Sequence, residues 1–262
     1  MLGRPEKLEQ LFIVEKLDAT KLYSDSKVRE EHEKMNKRSI NENPSNWDNK
    51  TRKNIKICSL NCARLKPHIK DIKADDTLKN SDIIHLQETW LEEGDENTTL
   101  LEMSNYQVKH IKVGKGKGIT TYHNKKFTHV SDKISQNYQI TKYESKNIVS
   151  INVYRSAKGS VEEIIEEVKN MENPEKANIV TGDMNICARK QRNSQLIKSL
   201  LDEEYKLMTT TATHVKGGHI DHTYTKNAMA QLHLYTPYYS DHDALCVAVE
   251  QAWVSTEWVN AD

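Results

Sequence analysis

Aromatic residues make up only 6% of the 262, and just two are phenylalanine. Mean hydropathy is low as well, so part of the charge must be concentrated outside the core. No run approaches the ~18–20 apolar residues of a membrane-spanning helix. The N-terminal stretch MLGRPEKLEQLFIVEKLD has neither an uninterrupted apolar segment nor a small-residue cleavage site. The expectation is a soluble, intracellular protein, nuclear or cytoplasmic and not secreted, with no membrane partner. Cysteines number four, and no Cys-x-x-Cys pair has a second Cys or His pair to complete a zinc site. They are expected as small buried thiols in a reducing compartment. Lys plus Arg (38) balances Asp plus Glu (38), so overall charge does not announce a nucleic-acid partner. A Gly-rich Walker loop, a Gly-x-Ser-x-Gly elbow and a His-Glu-x-x-His helix are all missing, which removes three reaction types.

Three regions differ in texture. Residues 1–54 form a helical and linker extension. An amphipathic helix is expected after Pro5 with Leu8, Leu11 and Phe12 on one face, followed by the linker-like NENPSNWDNKTRKN. This extension either docks on the main domain or binds another protein. Residues 55–250 alternate short strands with helices expected over KPHIKDIKADDTLKNS, RKQRNSQLIKSLLDEE and SVEEIIEEVKNM, the last marked as a helix start by its Ser and early glutamates. The strand expected over FTHVSDKI is followed directly by one over NIVSINVYR. Residues 251–262 are a C-terminal tail, where Trp253 and Trp258 are expected to cover the extension or an interface. Antiparallel-looking strands with two or three interposed helices predict a layered α/β sandwich in place of a doubly wound parallel sheet.

Apolar strands in the main region repeatedly end in an amide, carboxylate or imidazole. Asn61 follows ICSL, Glu88 follows IIHLQ, and Asp183 and Asn185 follow NIVTG; Asp221 and His222 lie in HIDHTY, and Asp241 and His242 precede ALCVAV. Each alone reads as a turn or cap; together they resemble strand ends converging on a ligand. Glu88 offers a hard oxygen ligand for Mg2+. Asn61 and Asn185 supply neutral contacts to a phosphate or a metal-bound water. His242 acts as a base or as a cation if a carboxylate orients it, with Asp221 the candidate orienter and Asp183 the candidate for positioning water. Tyr238 and Tyr239 suit core packing better than base stacking.

The blocks SLNCARL, DIIHLQETWL, GKGKGITTYHN, NVYRS, VTGDMN, HIDHTY and YSDHDAL, in that order, resemble the endonuclease/exonuclease/phosphatase superfamily. In motif they are most similar to the endonuclease domains of LINE-type retrotransposons and other mobile elements. The resemblance implies a deoxyribonuclease I-like four-layer α/β sandwich of two mostly antiparallel sheets. It also implies Mg2+-dependent (or Mn2+-dependent) phosphoester hydrolysis by in-line attack of water. By match, Tyr154 contacts the scissile phosphate, Asp183, Asn185, Asn61, Asp221 and His242 are catalytic, and Glu88 with Asp241 is the metal side. The expected substrate is DNA, with RNA the alternative. Arg189, Lys190 and Arg192, just after GDMN, and Lys115 and Lys117 in the glycine-containing loop are expected to touch its backbone. Two other functions remain open at this point: a phosphodiesterase or phosphatase on RNA ends, nucleotides or lipid head groups, and an inactive nucleic-acid-binding module.

Overall fold

The computed structural model describes residues 54–95, 99–191 and 194–250. The expectations for the N-terminal extension, the C-terminal tail and Arg192 lie outside these residues. The described elements in chain order are β1 (Asn54–Asn61), α1 (Leu65–Ala74), α2 (Asp76–Lys79), β2 (Ile83–Gln87), a 3-10 turn (Thr99–Leu101), β3 (Gln107–Ile111), β4 (Ile119–His123) and β5 (Thr128–Ile134). They continue with β6 (Tyr138–Glu144), β7 (Ile148–Arg155), α3 (Val161–Met171), β8 (Ala177–Asp183), α4 (Gln195–Asp202), β9 (Lys206–Leu207), β10 (Asp221–Lys226), β11 (Ala230–Tyr235) and β12 (Ala244–Glu250).

Two six-stranded sheets form, in the orders β11-β12-β1-β2-β4-β3 and β5-β6-β7-β8-β10-β9. Each has one parallel pair near its middle, β1 with β2 and β7 with β8, and antiparallel pairing elsewhere. Helices α1 and α2 make one parallel crossover and α3 the other, as parallel strands require. The two halves therefore repeat one topology, although no repeat is visible in the residues.

Periodicity of two explains the layers. Cys58 and Leu60 in β1 and Ile84 and Leu86 in β2 point outward onto Leu65, Ile69, Ile72 and Leu78 of the helices. In the second half Val149, Ile151 and Val153 meet Ile164, Val168, Leu196 and Leu200. Ile55, Ile57, Ile83, Ile148, Ile179, Val247 and Val249 fill the space between the sheets. The result is helix, sheet, sheet, helix, the four-layer sandwich expected.

The inner faces change character along the strands. Past the aliphatic cluster, His85 bonds Thr121 (3.0 Å) and Ser150 (2.8 Å), and the Gln87 amide bonds Ser59 and Asn152. Buried polar side chains persist where they find such partners. Beyond that polar layer, at the ends of β1, β2, β7 and β8, lie the candidate catalytic residues.

Local structure departs from the sequence expectation in three places. The single helix expected over KPHIKDIKADDTLKNS breaks at Asp75, whose extended backbone lets its carboxylate accept from the Thr77 and Leu78 N–H groups and cap α2. Helix α4 begins only after its Ser194 cap, which leaves Arg189 and Lys190 in a turn. Strand β6 was not expected. Its buried Gln139, Thr141 and Lys142 hide the apolar signal, Lys142 being neutralised by Glu144 at 2.7 Å.

Candidate active site

Strand register assembles the centre of the site. Asp183, the last residue of β8, stands between Tyr154 of β7 and Asp221 of β10 as their register partner. From the other sheet, the Asn61 amide at the end of β1 donates to Asp183 Oδ2 at 2.9 Å. The seam between the sheets is therefore closed by a side-chain hydrogen bond. Asn185 donates to the same carboxylate through its backbone N–H (2.9 Å to Oδ1) and anchors its amide on the Arg155 carbonyl (2.7 Å).

Gly182, just before Asp183, has a packing reason to be glycine. At its φ of 139° a Cβ would lie 1.9 Å from the Val153 carbonyl oxygen, in backbone territory nearly reserved to glycine. Gly182→Ala should therefore force β7 and β8 apart and cost about 3 kcal/mol or more of unfolding free energy. A urea melt checks this, with Gly159→Ala as a second close-packed position for comparison.

His242 reaches the centre from the turn before β12. Its Nδ1–H donates to Asp221, 3.0 and 2.9 Å from the two carboxylate oxygens. Thr213, a residue the sequence reading passed over, donates its hydroxyl to Asp221 Oδ2 at 2.7 Å and accepts the Asp221 N–H at 3.0 Å. Ser240 ties the turn down: its hydroxyl donates to the Asn61 carbonyl (2.7 Å) and accepts the His242 N–H (3.0 Å). Arg155, another residue given no role from sequence, is buried and donates to the carbonyls of Ala157, Gly159 and Met184, bracing the end of β7 against the residue after Asp183.

Burial and charge fix the protonation states. Burial raises the Asp183 carboxyl and the Asp221 charge raises it further, to about 7, with His242 and the Asn61 and Asn185 hydrogen bonds pulling the other way. For His242, burial opposes the cation, but the Asp221 hydrogen bond and charge, aided by Asp183 and Asp241, lift it to about 9. At neutral pH His242 is an imidazolium, and Asp183 keeps its proton to higher pH than an ordinary carboxyl.

Glu88 sits just beyond β2 at a φ of 51°. Flanking backbone bonds hold it there: Arg64 N–H to the Glu88 carbonyl (2.9 Å), and Thr89 and Trp90 N–H to the carbonyls of Gly118 and Lys117 (3.3 and 3.0 Å). The Tyr154 hydroxyl lies 3.4 Å from Glu88 Oε1 and donates to the Gly116 carbonyl at 2.8 Å. Among the described residues, two groups of three bring carboxylate and imidazole ligand atoms within 4.8 Å of one another: Asp183, Asp221 and His242, and His214, Asp241 and His242. Glu88 belongs to neither. In the first group His242 and Asp221 bond each other, and Asp183 is held by Asn61 and Asn185. The second is imidazole-rich, a set suited to transition metals. However, His214 Nδ1 accepts the Lys216 N–H (3.0 Å), so its proton is on Nε2, which faces Asp241 at 3.4 Å as a donor. Mg2+ binds through one or two carboxylates, waters and substrate phosphate. The lone, half-buried Glu88 fits that demand, whereas Asp241, expected beside it, turns its exposed carboxylate toward His214 and His242.

The basic residues fall in two loops. Lys115 and Lys117 flank Gly116, the acceptor of the Tyr154 hydroxyl, and Arg189 and Lys190 are exposed just after Asn185. Trp90 and Arg64, two and three residues from Glu88 and Asn61, were missed, although both stand inside the quoted blocks. Tyr239 is buried in the first core cluster, as expected, with its hydroxyl on Asp75; Tyr238 is 66% exposed, contrary to the packing role expected for it. All four cysteines are free and three are buried.

No protein-family model matches the chain, and no curated sequence matches it. Solved structures do. The endonuclease domain of TRAS1, a telomere-specific non-LTR retrotransposon, superposes with a TM-score of 0.58 at 14% identity, over 76% of this chain and 99% of that one. The 3′ phosphatase NExo from Neisseria, bound to a product DNA hairpin, gives 0.56 at 16% identity, over 75% and 99%. An AP endonuclease from Archaeoglobus fulgidus gives 0.57 at 14%, over 74% and 98%. With its paired sheets, flanking helices and strand-end polar residues, this chain has the deoxyribonuclease I-like fold of the endonuclease/exonuclease/phosphatase proteins.

Proposed function

We propose that the chain is a metal-dependent phosphoesterase, and specifically a Mg2+-dependent endonuclease that nicks DNA, of mobile-element type. The observation that carries this reading is the hydrogen-bonded line Asn61–Asp183–Asn185 alongside Asp221–His242, with Glu88 and Tyr154 beside it and basic loops flanking it. Asp183, held by two asparagines, orients a water for in-line attack and takes its proton when ionised. His242 presents a cation to the phosphoryl oxygens, in the manner of a preorganised charge that costs no reorganisation during reaction. Tyr154, its hydroxyl fixed on Gly116, marks where the phosphate seats. Bound at Glu88, the metal supplies Lewis-acid charge. Lys115, Lys117, Arg189 and Lys190 neutralise backbone phosphates, which position a duplex without reading its sequence. The TRAS1 domain, the endonuclease of a non-LTR retrotransposon, shares this fold, which supports the mobile-element reading.

A plasmid-nicking assay tests it. Supercoiled DNA should relax with Mg2+ and stay intact with chelator or in Glu88→Ala. If the wild type spares the plasmid but hydrolyses a small phosphoester, the substrate is wrong; if it touches neither, the chain is a binding module.

A further inference from the structure

Trp90 is the one tryptophan among the described residues, and no core cluster contains it. Its ring is half-buried, and its Nε1–H is shielded from solvent yet meets no acceptor. A tryptophan kept for packing ordinarily lies in the core with that N–H bonded. The ring is instead capped by cations: the Arg64 guanidinium lies 4.1 Å from its centroid and the Lys115 ammonium 6.0 Å. Arg64 itself is exposed.

The backbone beneath this pair is unusual. Ala63 (φ 45°), Arg64 (105°), Glu88 (51°) and Trp90 (54°) all have positive φ without being glycine. The two segments are laced together by Arg64 N–H to the Glu88 carbonyl and Leu65 N–H to the Thr89 carbonyl. Non-glycine residues held in such conformations gather where function requires a fixed geometry. Here the geometry sets a planar cation on an indole two residues from the candidate metal ligand.

We propose that the Arg64–Trp90 pair is a stacking platform for a nucleobase flanking the scissile phosphate. The guanidinium caps the indole at 4.1 Å, and the base extends the stack on the cation's exposed side. The chain therefore prefers DNA in which that base is out of the duplex stack: single-stranded, frayed or gapped. In a continuous duplex both faces of each base are already covered, and extruding one costs free energy that a single-stranded site does not demand. Stacking on a guanidinium or an aromatic ring is open to every base, so the preference is for structure and not for sequence. The inference deepens the endonuclease reading of the same site and rests on it.

Oligonucleotides carrying 2-aminopurine, whose emission is quenched by stacking, test the platform in chelator, where no turnover occurs. With the full-length wild type, quenching should appear at one nucleotide position, and single strands should bind about tenfold tighter than duplex. Trp90→Ala should abolish both effects, whereas Trp90→Phe, which keeps a ring, should retain most of the quench. Arg64→Lys keeps the charge and loses the plane. It should lose the quench while the salt dependence of binding stays unchanged. Full quenching in Arg64→Lys, or equal wild-type affinity for single strand and duplex, would overturn the proposal. The two readings also fail differently. A wild type that nicks plasmid but shows no Trp90-dependent quench sinks the platform alone. A wild type that shows the quench without nicking keeps the platform and sinks the endonuclease.

Discussion

Replacing His242 by glutamine should slow phosphodiester cleavage by about a hundredfold to a thousandfold, the range for losing one preorganised group that stabilises transition-state charge. Glutamine can still offer an N–H to Asp221, so the buried carboxylate keeps a partner and the fold survives; what disappears is the cation. The wild-type dependence on pH has a definite sign. His242 is raised to about 9 by Asp221 against the pull of burial, so the imidazolium is present at neutral pH and lost as pH rises through about 9. The rate should fall on that alkaline limb. On the acid side it should rise as Asp183, raised to about 7 by burial and by Asp221, gives up its proton. In Asp221→Asn the alkaline limb should move down toward the ordinary histidine value of about 6.5. A pH–rate profile whose alkaline limb stays put in that variant would mean the pair does not set it.

Asp183→Asn should have two effects of opposite sign. Cleavage should drop at least a hundredfold, because no carboxylate remains to orient and deprotonate water. Stability should rise. A carboxyl whose folded-state pKa lies above its unfolded value holds its proton more tightly when folded. Stability is then drawn down as pH climbs from about 4 to about 7. For Asp183, buried at 1% exposure and lifted to about 7, the ionised form costs about 2–4 kcal/mol above neutrality. Asparagine removes that cost and still accepts from Asn61 or Asn185. Urea melts in chelator at about pH 8 should show the variant more stable than wild type, and the gap should close at about pH 4. Equal stability at the higher pH would show that the buried charge is already compensated. Gains in stability at the expense of activity are the usual signature of a functional site.

The sequence disclosed the sandwich, and it marked the candidate residues because an amide or acid interrupts an otherwise apolar run at their strand ends. Asn61, Asp183, Asp221 and His242 were legible for that reason, and the strand register brings them together. The supporting residues were not. Thr213 lies in the threonine-rich loop before β10, and Ser240 looks like any turn serine; each acts through hydrogen bonds set by tertiary placement. Trp90 follows the Gln-Glu-Thr block, and only the structure brings the Arg64 guanidinium over its ring. Strand β6 was hidden by its polar interior residues, and the breaks before α2 and α4 by cap chemistry within charged stretches.

The hydrogen bond from Asn61 to Asp183 joins residues 122 positions apart, one in each sheet. The second sheet is built from one unbroken stretch of chain, β5 to β10, whereas the first needs both β1–β4 and the late β11 and β12. During synthesis Asp183 and Asp221 therefore emerge before His242, and neither sheet alone holds a complete set. A molecule that is half made, or whose halves have come apart, has no Asp183 carboxylate held by Asn61 and no His242 beside Asp221. On the proposed nuclease reading, cutting ability therefore arrives only once both sheets have formed, with the turn that leads into the last strand.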